Sequence, residues 1–300
     1  MKSLGNYILS GRYKSVAMIS LITILSLLVL PLLYILSGAP LGLVTLRKGG
    51  TASFRVLIGT VLLITLFGYF TNIGIGMGVA IATSVWLPVW ATSIVLRITE
   101  SHGAAVLVAG GIGILCVVIL AFFNEELSTL WQTSIHSLIE NNFSTSEVAQ
   151  LEEVFDSVLP FISGIVAAGL VISLIATVLL ARRWQSTLFN PGGFRQEFQD
   201  LLLPRWLTFL TIACFLLSFL NLEDLSMLAS NFLAVMLVMH VIQGIASVHR
   251  IVFIRTLSKN WLIIMYCFLL FLPQMALFLV CIGMADALNR GKKSMPRDAD

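Results

Sequence analysis

His240 and Gln243 lie one helical turn apart in MHVIQGIASVHR, inside a long apolar run. A pair of this kind can hydrogen-bond a polar solute or hand on a proton, because imidazole titrates near neutral pH. Asn72 and Thr83 sit in a second apolar run, in TNIGIGMGVAIATSVWLPVWATS, and can bond a solute through an amide and a hydroxyl. Trp86 and Trp90 flank Pro88 in the same run and would give that solute an apolar wall. A proline-broken helix frees backbone carbonyls that can face a cavity. The candidate substrate-binding residues are therefore Asn72, Thr83, Trp86, Trp90, His240 and Gln243. Each also has a packing role open to it: a kink packed on another helix, a satisfied structural histidine, or a hydroxyl bonded to its own helix. Gly74 and Gly78, four apart, would share a helix face and allow close approach.

Other chemistry finds no footing. No serine has a histidine and an aspartate in a recognisable triad pattern, and neither a P-loop nor a dinucleotide fingerprint is present. The chain has four histidines and no HExxH. Its four cysteines (Cys116, Cys214, Cys267 and Cys281) lie in apolar runs and read as small buried hydrophobes. The expectation is a non-enzymatic protein with no catalytic residue, no metal and no cofactor.

These residues need elements to hold them, and charge distribution defines those elements. Of 300 residues, 58% are hydrophobic and only 11% charged, where a soluble domain carries about 25%. Ser15 to Leu46 and Val56 to Leu96 contain no Asp, Glu, Lys or Arg. Apolar runs of about 20 residues cross a hydrocarbon core of roughly 30 Å. The fold class expected is an all-α polytopic transmembrane bundle of about eight to ten spans, some broken by proline. It forms one integral membrane domain over 1–300. Turns are expected near Tyr69–Gly74 and at Asn190-Pro191-Gly192-Gly193. Phe194, Phe198, Leu201 and Leu202 would form the apolar side of a short interfacial helix.

The flanking charges orient the bundle. Segments 47–55, 97–102, 182–205 and 250–259 are basic or mixed and belong in the cytoplasm. Segment 125–156 has seven acids and no base, so the 124–157 stretch belongs outside, with the turn Leu222–Asp224. Ser144 and Glu147 fit a capping box for the amphipathic helix that follows. Both ends stay open: Pro31 or Pro40, and Pro273, each mark either a kink in one crossing or a turn between two. Asp286 and Arg290, four apart in GMADALNR, would pair on one helix face at the end of the last span. The net charge of +3 is juxtamembrane, which points to lipid headgroups and excludes nucleic acid.

Two stretches, PLGLVTLRKGG (Pro40–Gly50) and LFLVCIGMADALNR (Leu277–Arg290), resemble the YybS-like family of bacterial integral membrane proteins. That family is distantly similar to the substrate-capturing subunits of energy-coupling-factor transporters. The resemblance implies a helical bundle in the bacterial cytoplasmic membrane that binds a small molecule and works with separate ATPase and coupling subunits. The function expected is binding or translocation of a small substrate of amphiphilic character. The alternative is an envelope-organising scaffold that binds partner membrane proteins. Expected partners are membrane lipids, a small-molecule substrate and, for the scaffold, a membrane protein.

Overall fold

Long apolar runs leave the backbone no partner in hydrocarbon except itself, which dictates helices. The computed structural model describes residues 2–29, 37–123, 129–133, 145–220 and 222–293. Among them every regular element is helical. Among the described residues, five helical stretches are long and apolar enough to cross a membrane: Gly50–Phe70, Met77–Thr99, His102–Phe122, Leu151–Phe189 and Asp224–Ile254. Two shorter apolar helices, Arg205–Leu217 and Asn260–Phe271, accompany them. The protein is thus a multi-pass α-helical membrane bundle. The expected count of eight to ten allowed one or two crossings at each proline-interrupted end; there the described helices are Arg12–Val29 and Gly38–Lys48 at one end and Asn260–Phe271 and Met275–Lys293 at the other. Pro31, Glu125, Glu126, Glu140 and Ser144 of the capping box lie outside the described residues.

The chain divides into two compact units. The first holds residues 1–109, 172–204 and 240–300, and the second holds 110–171 and 205–239. In the second, Asn231 secures the start of the Ile162–Phe189 helix. Its amide oxygen accepts from Gly164 N at 2.6 Å, and its amide nitrogen donates to Pro160 O at 3.0 Å. Pro160 interrupts the helical run there as a single 3-10 turn, Leu159–Phe161.

In the first unit, the Gly50–Phe70 helix turns at 71–76 into Met77–Ile81. Asn72 adopts φ 57° there, the left-handed region that asparagine tolerates. Gly74 belongs to this turn and not to the helix, so only Gly78 makes the expected close approach. A Cβ at Gly78 would collide with Thr65 Oγ1 and stand 2.7 Å from Val61 O. A π-helical turn, Ala82–Trp86, precedes Leu87–Thr99. Pro88 has no N–H to return to the preceding turn, which accounts for the local rewinding.

The helix Gly38–Lys48 has 11 residues, about 16 Å at 1.5 Å per residue, or half the hydrocarbon core. Every residue from Gly38 to Leu46 is buried. Pro40 is accommodated in its first turn, where a backbone donor is not needed. The helix runs parallel to 87–99. Ser37 meets Trp86, Gly38 and Gly42 approach Val89, and the Thr45 and Leu46 carbonyls meet Arg97. Gly38 therefore begins the helix near the middle of the Met77–Thr99 crossing.

A second half-depth helix lies at the other end of the chain. The Glu223–Ile254 helix and Met275–Lys293 run parallel: Gly283 packs on His240 and Gly244, and further along both helices Asp286 meets Ser247 and Arg250. The helix Asn260–Phe271 between them runs antiparallel to the first, with Tyr266 OH 2.9 Å from His249 Nε2. Its 12 residues cover about 18 Å. The chain turns at Leu272–Gln274 before the Met275–Lys293 helix begins. Pro273 is thus a turn and not a kink in one crossing. Residues 260–293 form a helical hairpin, with Tyr266 on one arm and Asp286 on the other both meeting residues 247–250 of the Glu223–Ile254 helix, a geometry that in a membrane would make it re-entrant.

Candidate functional site: a buried polar cluster at the basic end

Asp286 is 9% exposed, and its carboxylate is filled on every side. Ser247 Oγ donates at 2.8 Å and Gln243 Nε2 at 3.3 Å. Arg290 donates from Nε at 3.0 and 3.1 Å and from Nη2 at 2.6 Å. Arg250 closes the set through Nη2. Parallel packing of the 223–254 and 275–293 helices brings these groups together. The i,i+4 pair Asp286–Arg290 was legible in the sequence. Arg250 and Ser247 were not, because nothing in their spacing links them to a residue 36 or 39 positions away.

The cluster also holds a stretch of non-helical backbone. Residues 201–204, between the Gly193–Gln199 helix and Arg205, have no regular secondary structure, yet Leu201 and Leu203 are 1% and 0% exposed. Buried peptide groups need partners. Arg290 Nη2 donates to Leu201 O at 2.6 Å, and Leu203 N donates to Gln243 Oε1 at 3.2 Å. Gln243 therefore reads the loop with one end of its amide and Asp286 with the other. A carboxylate so fully bonded has its lone pairs committed to these donors. Its chemistry is to tie three segments together.

Beside it lies an aromatic group. Phe194 and Phe198 stack at 5.9 Å, and His102 meets them edge-on at 5.8 and 6.4 Å. Phe198 continues to His249 at 5.7 Å. The apolar side of the 193–199 helix thus faces the protein's own histidines and not the lipid surface, as do buried Leu201 and Leu203. His102 also borders a cavity of about one water with Thr92, Val106 and Val178. At the same end Arg97 Nη1 and Gln185 Nε2 donate to Leu46 O at 2.8 and 3.3 Å. They cap the last carbonyls of the 38–48 helix, where Gly49 takes φ 93°. Arg182 pairs with Glu197.

The six candidate positions fall into separate environments. His240 and Gln243 are both 0% exposed, on the 223–254 helix facing the hairpin. Trp86 is also 0% exposed, and its Nε1 donates to Ser37 Oγ at 3.0 Å. Trp90 is half-buried and donates to Gly50 O at 3.1 Å, with its ring 5.2 Å from Phe54. Thr83 is exposed and bonds Val79 O and Ala80 O of its own helix. Asn72 is exposed in the turn after Phe70. His240 and Gln243 share one helix, and Trp86 and Trp90 share another. Thr83 shares the Ala82–Trp86 turn with Trp86 but is exposed, and Asn72 lies in the turn before that stretch.

Half-depth helices, glycine-mediated helix contacts and buried polar ties at one end define a polytopic α-helical membrane protein with interrupted helices. Within that class, the chain belongs to the DUF2232 family of predicted membrane proteins, whose signature covers residues 15–287. No curated protein and no solved structure matches it.

Proposed function

We propose that this chain binds a small substrate of amphiphilic character and moves it across the bacterial cytoplasmic membrane, with its basic loops inside. The observation that carries this reading is the pair of half-depth helices, 38–48 and 260–271. Transport proteins place interrupted helices of this kind at mid-membrane solute sites, where backbone ends become available. Trp86 lies beside the start of the 38–48 helix, and His240 and Gln243 are buried on the 223–254 helix facing the hairpin, so the reading depends on them more than on Asn72, Thr83 and Trp90. It assigns no catalytic residue and no cofactor.

One observation favours the scaffold alternative. Val154, Phe155 and Val158 are exposed on the acidic Thr145–Val158 helix, a surface that a partner membrane protein could cover. Native mass spectrometry after purification in mild detergent separates the two. A retained small molecule, reduced in His240→Ala, is the expected result. A stoichiometric protein partner with no small molecule would favour the scaffold and overturn the transport reading.

A further inference from the structure

Thr92 and His102 are buried polar side chains, 1% and 2% exposed. Among the described residues, Thr92 Oγ1 and both ring nitrogens of His102 have no hydrogen-bond partner. Buried threonines elsewhere in the chain turn their hydroxyls back on their own helix. Thr45 Oγ1 donates to Leu41 O at 2.8 Å, and Thr60 Oγ1 donates to Val56 O at 2.9 Å. Thr92, one turn after Pro88, makes no such bond. A neutral imidazole carries one donor and one acceptor, so His102 leaves two bonds unmade. Nearly all buried polar groups in folded proteins find a partner, either protein or water.

The two residues meet at one place. Thr92, from the Leu87–Thr99 helix, and His102, at the start of the His102–Phe122 helix, border the same cavity. Apolar residues complete its wall, Val106 and Val178 among them. It is about one water in size. No carboxylate, ammonium or guanidinium group borders it, so it suits a neutral guest. That guest must donate to one partner and accept from the other, and the volume excludes anything larger than water.

We propose that this cavity binds a single water molecule, bonded to Thr92 Oγ1 and to a ring nitrogen of His102, and that the water bridges the 87–99 and 102–122 helices. Two polar partners and room for one water meet the requirements of an internal hydration site. The site does not rest on the transport reading, so either can fail alone.

Solid-state NMR of the full chain in proteoliposomes tests it. The protein carries nitrogen-15 only in its histidine rings, and magnetisation is started on water and passed to the protein. The His102 signals are identified by their loss in His102→Gln. At short transfer times the His102 ring is expected to appear in the unaltered protein. It should be lost in Thr92→Val, which keeps the shape of threonine and removes the hydroxyl. A His102 ring that receives nothing from water in the unaltered protein would overturn the proposal. A signal of equal strength in Thr92→Val would overturn it too, because the water would then not depend on the threonine. Should Thr92→Val fail to fold, Val106→Ile adds a methyl to the cavity wall while keeping both polar partners. Loss of the signal there supports the site, and an unchanged signal would overturn it.

Discussion

Asp286→Ala is expected to destabilise the protein by about 3 kcal/mol, the lower part of the range for removing one member of a buried ion pair. The substitution removes the acceptor of Arg250, Arg290, Ser247 and Gln243 at once. Two guanidiniums then face each other without a counter-charge. Their side chains keep 18% and 26% exposure, so water offsets part of the penalty, and this holds the figure to the lower end. Arg290 would also lose the carboxylate that holds it against Leu201 O. Thermal unfolding in detergent should show a large drop in midpoint. Asp286→Asn should fall between, since an amide oxygen still accepts from Ser247. A midpoint unchanged in Asp286→Ala would mean that the cluster contributes nothing to holding the hairpin.

Gly244→Val should be comparably damaging, at about 3 kcal/mol, the upper part of the usual range for overpacking. A Cβ at Gly244 would fall on the carbonyl oxygen of Leu279, with the Leu279 Cα 3.0 Å away. The obstacle is backbone, which no rotamer change can clear. Membrane helices gain little from hydrophobic association and depend on such close packing. The 275–293 helix must therefore move outward, taking Asp286 away from Ser247. Loss of folded protein by size-exclusion chromatography checks this. Gly111→Val is the control, because a Cβ there meets nothing within 4 Å.

The same residues explain what the sequence could and could not reveal. Uncharged runs announced the crossings, and the turn near Tyr69–Gly74 follows the reading closely. Helix ends and turn residues are local signals, so they survive without tertiary information. The re-entrant hairpin is a different matter. Pro273 is compatible with a kink or a turn, and only the parallel packing of Gly244 and Gly283 decides between them. Asn72 read as a solute ligand because it is polar in an apolar run. The structure gives it a backbone task at positive φ, which side-chain type alone does not reveal. Gln243 was legible as a buried polar residue. That its partners are Leu203 N and Asp286 was not, since contacts across 40 and 43 positions leave no local pattern.

The central claim is that residues 260–293 enter and leave the membrane on one side. Single cysteines at Ser258 and Asn289, each in a cysteine-free background, test it by labelling intact cells and inverted vesicles with an impermeant maleimide. Asn289 is exposed near the end of the last helix, and Ser258 is exposed in the preceding loop. Both should label only in inverted vesicles, while Leu222→Cys, exposed at the opposite end of the 223–254 helix, labels in intact cells. Labelling of Ser258→Cys and Asn289→Cys from opposite sides would contradict the re-entrant hairpin, and with it half the basis of the transport reading.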